Sequence, residues 1–177
     1  MSIRPEMKEE LARHRDAKTL ILIEKMMLPF NQVRPVYMVP KLFDRIFGSS
    51  AEETKRMGFL EADLHRFING ETITVGHEKE PTCFLKPLNN SREVWEIRSR
   101  DPKPSLRVFG RFAAKDVFVA TSMQYRTILD HIRSRAWAVE IRRCVTEWTR
   151  LFPHLEPHTG NSTHDYVSNA VDLSEIK

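Results

Sequence analysis

Cysteine is scarce: Cys83 and Cys144 are the only two among 177 residues, far apart and without C-x-x-C spacing. That leaves no disulfide framework and no cysteine pair for zinc, and it points to two free thiols in a cytoplasmic protein. The six glycines form neither a G-x-G-x-x-G fingerprint nor a Walker loop, so a nucleotide-cradling loop has no basis. G-x-S-x-G and H-E-x-x-H are also missing, which removes the serine-hydrolase and zincin readings. Long apolar runs are lacking too. Leu20-Ile21-Leu22-Ile23 is cut off by Glu24 and Lys25, far short of a bilayer span and without the order of a signal peptide. No membrane partner is expected.

What the chain does have is a real core and an uneven charge. Hydrophobic residues make up 41% and charged residues 29%, a composition that folds. The length suits one domain with extensions. The net charge of +4 is concentrated: residues 92–150 hold 13 Lys/Arg against 7 Asp/Glu, residues 1–91 hold 14 against 13, and residues 151–177 hold 1 against 4. A basic excess confined to one stretch is the footprint of a polyanion-binding face.

That stretch begins with three runs of strand character at 94–98, 106–112 and 116–121. Strand side chains alternate between faces. Leu106, Val108, Gly110 and Phe112 therefore share one face, and Arg107, Phe109 and Arg111 share the other. A small antiparallel sheet with an apolar back and an arginine-plus-aromatic front suits RNA, since cations meet phosphates and rings accept stacked bases. The plainer alternative is that the arginines solvate the exposed face of an ordinary sheet. Two short turns, at 101–104 and 113–116, join the strands.

Around the strands, helices are expected over the first 30 residues, ended by Pro29, and over Leu42, Phe43, Ile46 and Phe47, ended by Gly48. A third helix over 50–69 has Ser50 and Glu53 as a capping box and an apolar stripe of Met57, Leu60, Leu64, Phe67 and Ile68. Between Pro35 and Pro40, residues 36–39 read as an edge strand or extended connector. Residues 71–91 read as polar connection with a short strand at 72–75. A last helix over 134–152 carries Trp137, Ile141, Cys144, Val145, Trp148, Leu151 and Phe152 and stops at Pro153. Its tryptophans belong to the core, with Trp95 and Ile97 expected to pack on Trp137 or Trp148. The tail, 154–177, reads as irregular.

The seven histidines do not make a metal site: His154, His158 and His164 are separated by Pro157 and Gly160 in no standard ligand spacing. His131 is an exposed helical histidine, or an acid–base group if its segment folds back on the sheet. No metal and no cofactor is expected.

Lys86-Pro87-Leu88, Val94-Trp95-Glu96-Ile97-Arg98 and Leu106-Arg107-Val108-Phe109, in this order before a C-terminal helix, resemble the RelE/HigB-like toxin family of toxin–antitoxin modules over about residues 41–152. The resemblance implies an α+β fold with a small antiparallel sheet packed on helices. It divides the chain into an N-terminal helical extension (1–34), the toxin-like domain (35–153) and the tail (154–177). It further implies a metal-independent mRNA endoribonuclease that works on ribosome-bound message by attack of the ribose 2′-hydroxyl, silenced by a helix-turn-helix antitoxin. By position, Arg107 would stabilise the phosphate, with Lys103, Tyr125 and Arg126 as further catalytic groups and Arg98, Arg100, Arg111 and Phe109 as RNA contacts. The lysine pair that many members carry after the last strand is replaced by Ser122-Met123-Gln124-Tyr125-Arg126. This departure leaves a second reading open, a non-catalytic RelE/ParE-fold protein that binds nucleic acid or a protein target.

Overall fold

The computed structural model describes residues 3–23, 33–48, 51–77, 82–89, 92–129 and 134–176. Its centre is a meander of four antiparallel strands: β4 (Leu85–Asn89), β5 (Val94–Ser99), β6 (Leu106–Ala114) and β7 (Val117–Tyr125). The other described strands are short: β1 (Ile21–Leu22), β2 (Val36–Met38), β3 (Ile73–Val75) and β8 (Ala170–Asp172). Together they form one sheet in the order β1-β2-β7-β6-β5-β4-β3-β8. Six helices are described: α1 (Pro5–Asp16), α2 (Pro40–Phe47), α3 (Ala51–Ile68), α4 (Arg126–Leu129), α5 (Arg135–Leu151) and α6 (Thr163–Tyr166).

The fold is α+β, but the sheet is mixed and has eight strands rather than being small and antiparallel. β2 runs parallel to β7, and β3 runs parallel to both β4 and β8. β3 falls within the short strand expected at 72–75 and β2 within 36–39, whereas β8 lies in the tail expected to be irregular; three residues each are too few for an alternating pattern to reveal how they pair. β2, expected at an edge, is interior, with β1 on its other side. Pro35 and Pro40 fall just outside its ladder and cost it no hydrogen bond. Residues 85–89, read as connection, form β4. Pro87 lies beyond the single β3–β4 pair, Val75↔Leu85, so its missing N–H leaves that pairing intact.

The two ends of the chain are built into the same sheet and core. The N-terminal helix stops at Asp16 instead of continuing to residue 30, and Ile21–Leu22 pair as β1. Pro29, Ser50 and His131 lie outside the described residues. Met7 and Leu11 of α1 join the main core, as do Tyr166 and Val167 from the tail expected to be irregular. Arg34, fully buried, ties these parts together by donating to the carbonyls of Phe67, Glu71, Ser168 and Asn169.

Helices cover both faces of the meander. The α3 stripe of Met57, Leu60, Leu64, Phe67 and Ile68 is buried as expected, on the face carrying Ile97, Val108, Phe112 and Phe118. Gly110 belongs to this face. A Cβ there would lie 2.4 Å from the Val119 carbonyl oxygen and 2.5 Å from the Phe118 ring, the close approach that makes glycine necessary in a strand. α5 crosses the opposite face. Trp95 therefore meets Phe112 and Tyr166, at ring-centroid distances of 5.4 and 4.6 Å. Trp95 and Ile97 face away from both Trp137 and Trp148, which lie on the α5 side of the sheet.

Candidate functional site

Alternation along β4–β7 puts Lys86, Glu96, Arg98, Arg107, Phe109, Arg111 and Ser122 on the α5 side. This is the arginine face expected to be open to RNA, and α5 covers it. Phe109 is fully buried, edge-on to Trp137 at 5.6 Å and clustered with Leu129. Arg111 stacks on Trp148 at 5.2 Å and donates to the Arg92 carbonyl at 2.6 Å. Phe109 and Arg111 are thus structural in this conformation rather than a stacking platform. The reason is one of layers: α3 occupies one face of the sheet, so the apolar stripe of α5 can be buried only on the other.

Beside Phe109 lies a buried charge cluster. Glu96 is 1% exposed and pairs with Arg98 (Oε1–Nε, 3.4 Å) and with Arg107 (Oε2–Nε, 3.5 Å). Lys86 and Arg126 add their charge to its surroundings. Arg107 is 4% exposed and also donates to the Leu106 carbonyl at 2.8 Å. Arg98 reaches the Cys83 sulfur at 3.0 Å. Burial pushes the Glu96 carboxyl up to about 7 despite the neighbouring cations, and burial brings Arg107 down to about 10. Desolvation therefore outweighs attraction for both partners.

A carboxyl raised in the fold makes stability depend on pH. Protonated Glu96 stabilises the fold fully below the ordinary carboxylate range, and that contribution is lost as pH rises through about 7. A raise of this size corresponds to roughly 3 kcal/mol. Denaturant titrations should show stability falling between pH 5 and pH 8, and Glu96→Gln should flatten the profile and be at least as stable as wild type at pH 8. Asp172, which burial pushes up but hydrogen bonds from Ser174, Thr163 and His77 pull further down, titrates below that window. A profile unchanged by Glu96→Gln would contradict the assignment.

The remaining predicted site residues are dispersed. Arg126 opens α4 on the Glu96 side, coupled to both Glu96 and Arg107. Tyr125 ends β7 and points the other way, donating to Glu53 of α3 at 3.2 Å. Its register partner is Leu106, the neighbour of Arg107, so the two side chains lie on opposite faces. Lys103 sits in the β5–β6 turn, 70% exposed, bonded to the Arg100 carbonyl and to Ser105 Oγ. Arg98 and Arg100 line a cleft of about 330 Å³ with Arg66, Asp63 and Asp101. Of the four expected catalytic groups, Arg107 and Arg126 are brought together beside Glu96, while Lys103 and Tyr125 lie apart from them. Glu96 and Lys86 are site members that the motif contained without being assigned a role. The available signal was the i, i+2 spacing of Glu96 and Arg98, which puts an acid and a base on one strand face.

Both cysteines are buried, and burial raises the Cys144 thiol to about 11, which makes it inert. Among the described residues no His/Cys/Asp/Glu group is arranged to hold a metal ion, and no helix is long and apolar enough to cross a membrane. Comparison with protein-family models, curated proteins and solved structures finds no match to this chain.

Proposed function

We propose that this chain is a toxin-type protein directed at RNA, an mRNA endoribonuclease acting by 2′-hydroxyl attack. The observation that carries the reading is the Glu96 cluster: one carboxyl poised near neutrality, with Lys86, Arg98, Arg107 and Arg126 around it. The reaction needs a group to take the 2′-proton and positive charge to stabilise the phosphorane. Glu96 takes the proton as the 2′-oxygen attacks the adjacent phosphorus, and the arginines hold the developing negative charge. The P–O5′ bond breaks, and the leaving oxygen receives a proton from the now protonated Glu96. The products are a 2′,3′-cyclic phosphate and a 5′-hydroxyl. No metal takes part in this scheme.

The cluster is closed over by α4 and α5, so this chemistry requires that cover to lift and admit the RNA. Phe109, Leu129 and Trp137 form a small cluster separate from the main core, and it is this contact between sheet and cover that would part in such an opening. Trp137 Nε1 is buried without a hydrogen-bond partner among the described residues, a cost of about 1–3 kcal/mol that weakens the closed state. The partners of this reading are ribosome-bound mRNA and a helix-turn-helix antitoxin, in the cytoplasm. Inducing the wild-type chain should arrest growth and cut transcripts, and Arg107→Ala should relieve both. Harmless expression with intact transcripts would end the reading.

A second reading is favoured by one observation, the separation of Lys103 and Tyr125 from Arg107. On it the chain binds nucleic acid or a protein target without cutting. Growth arrest that persists in Arg107→Ala with no transcript cleaved would select it.

A further inference from the structure

A groove lies away from the Glu96 cluster, between α2 and α5 over the middle of β7. It encloses about 540 Å³. Its lining has two distinct parts. The floor is mainly aliphatic, Val39, Pro40, Leu42 and Met123, with the small polar side chains of Thr121 and Ser122 beside Met123. The rim is cationic, with Lys41 and Arg45 from α2 facing Arg143 and Arg150 from α5, against a single acid, Glu147. Glu147 is already engaged by Arg150 at 2.6 Å, and Arg143 is paired with Glu140 at 2.9 Å while its side chain stays 56% exposed. Val139, one helical turn before Arg143 on the same stripe of α5, is 41% exposed and continues the apolar surface past the groove.

We propose that this groove docks a short acidic amphipathic segment of a partner protein, apolar side chains down and carboxylates out to the two basic rims. An amphipathic helix laid into a hydrophobic groove presents anchors at i, i+3, i+4 and i+7, with polar residues flanking them. Two cationic rims on either side of an aliphatic floor are the complement of that pattern when the flanking residues are Asp or Glu. Methionine in the floor adapts its shape to the inserted side chains. A nucleic-acid strand fits less well. Its phosphates would satisfy the rims, but no aromatic ring lines the groove to stack a base, and the aliphatic floor would stay uncovered. The α2 N-terminus, with Pro40 at its first turn, borders the groove and adds a partial positive charge of its own.

This inference is independent of the catalytic reading and survives its failure. The test is selection of a random 14-residue peptide library on the immobilised full chain, followed by fluorescence anisotropy with the enriched peptides. Enrichment should favour peptides with Leu, Ile, Met or Phe at helical spacing and a net negative charge. Their binding should weaken at least tenfold in the double variant Lys41→Glu/Arg143→Gln, and it should weaken with added salt. Both substitutions are at exposed side chains, and an unchanged melting temperature verifies that the variant is folded. No enrichment, enrichment without acidic bias, or equal binding to the double variant would overturn the proposal. A 12-nucleotide uridine RNA supplies a further arm: if it displaces the peptides and loses binding in the same variant, the groove belongs to RNA and the peptide proposal fails. Sedimentation of the chain alone excludes the remaining occupant. A self-association abolished by Lys41→Glu would assign the groove to a second copy.

Discussion

Replacing Arg34 by methionine should lower the folding stability by about 3–5 kcal/mol, the cost of breaking a buried charged network. Arg34 is fully buried, and burial lowers its pKa from the usual arginine value. Its Nη1 donates to the Phe67 and Glu71 carbonyls at 3.1 and 3.0 Å, and its Nη2 to the Ser168 and Asn169 carbonyls at 2.5 and 3.3 Å. Asp116 lies 3.7 Å from Nε, and Phe67 packs under the guanidinium at 5.2 Å. Methionine fills the volume and satisfies none of those four acceptors, each of which then bears its own desolvation penalty. Lysine keeps the charge but lacks the planar fork that reaches two pairs of carbonyls, so Arg34→Lys should recover less than half of the loss. Urea denaturation of the three chains measures both effects. A loss under about 1 kcal/mol for Arg34→Met, the range of an ordinary exposed pair, would contradict this role.

Trp148→Ala should cost a similar amount, about 3–5 kcal/mol, the range for removing a buried large aromatic side chain. Trp148 packs on Phe152 at 4.6 Å, lies under the Arg111 guanidinium, and donates from Nε1 to the Leu155 carbonyl at 2.8 Å. Its loss both opens a cavity and deprives the buried Arg111 of its stacking surface. The paired comparison is sharper. Trp148→Phe gives up a hydrogen bond to a backbone carbonyl, whereas Trp137→Phe removes an N–H that is buried without a partner among the described residues. Trp137→Phe should therefore be close to neutral, while Trp148→Phe costs about 1 kcal/mol or more beyond its change in volume. The reverse order in thermal melting would show that α5 is not anchored at its C-terminal end.

The parts of the fold readable from the chain are those with long periodic patterns. α3 and α5 fall within a residue or two of where their stripes of Met57–Ile68 and Trp137–Leu151 put them, and β5, β6 and β7 follow each other as expected. What the pattern could not supply is partnership. Nothing in Val36–Met38 or Ala170–Asp172 says that these three residues pair in parallel with a strand some 80 or 100 positions away in the chain, because parallel pairing is a tertiary fact without a local signature. The burial of the arginine face escaped for the same reason. The alternation of Arg107, Phe109 and Arg111 defines a face but not what lies on it. The polar character of that face suggested solvent, yet α5 presents Glu140 to Ser122 at 3.0 Å and Trp148 to Arg111, which satisfies polar groups under cover. Glu96 went unassigned because a glutamate amid arginines reads as a simple counter-charge. Only its depth in the sheet turns it into a group that titrates near neutrality.

The chemistry proposed for Glu96 and its arginines is open to direct test. The most direct measurement is to add the purified full chain to ribosomes translating a defined message and to identify the ends of any fragments. The account predicts fragments bearing a 2′,3′-cyclic phosphate and a 5′-hydroxyl, produced by wild type and reduced at least a hundredfold in Glu96→Gln, the general-acid–base contribution being about 10²–10⁴, while that variant melts no lower than wild type at pH 8. Messages left intact by the wild-type chain, or cut equally well by Glu96→Gln, would contradict it.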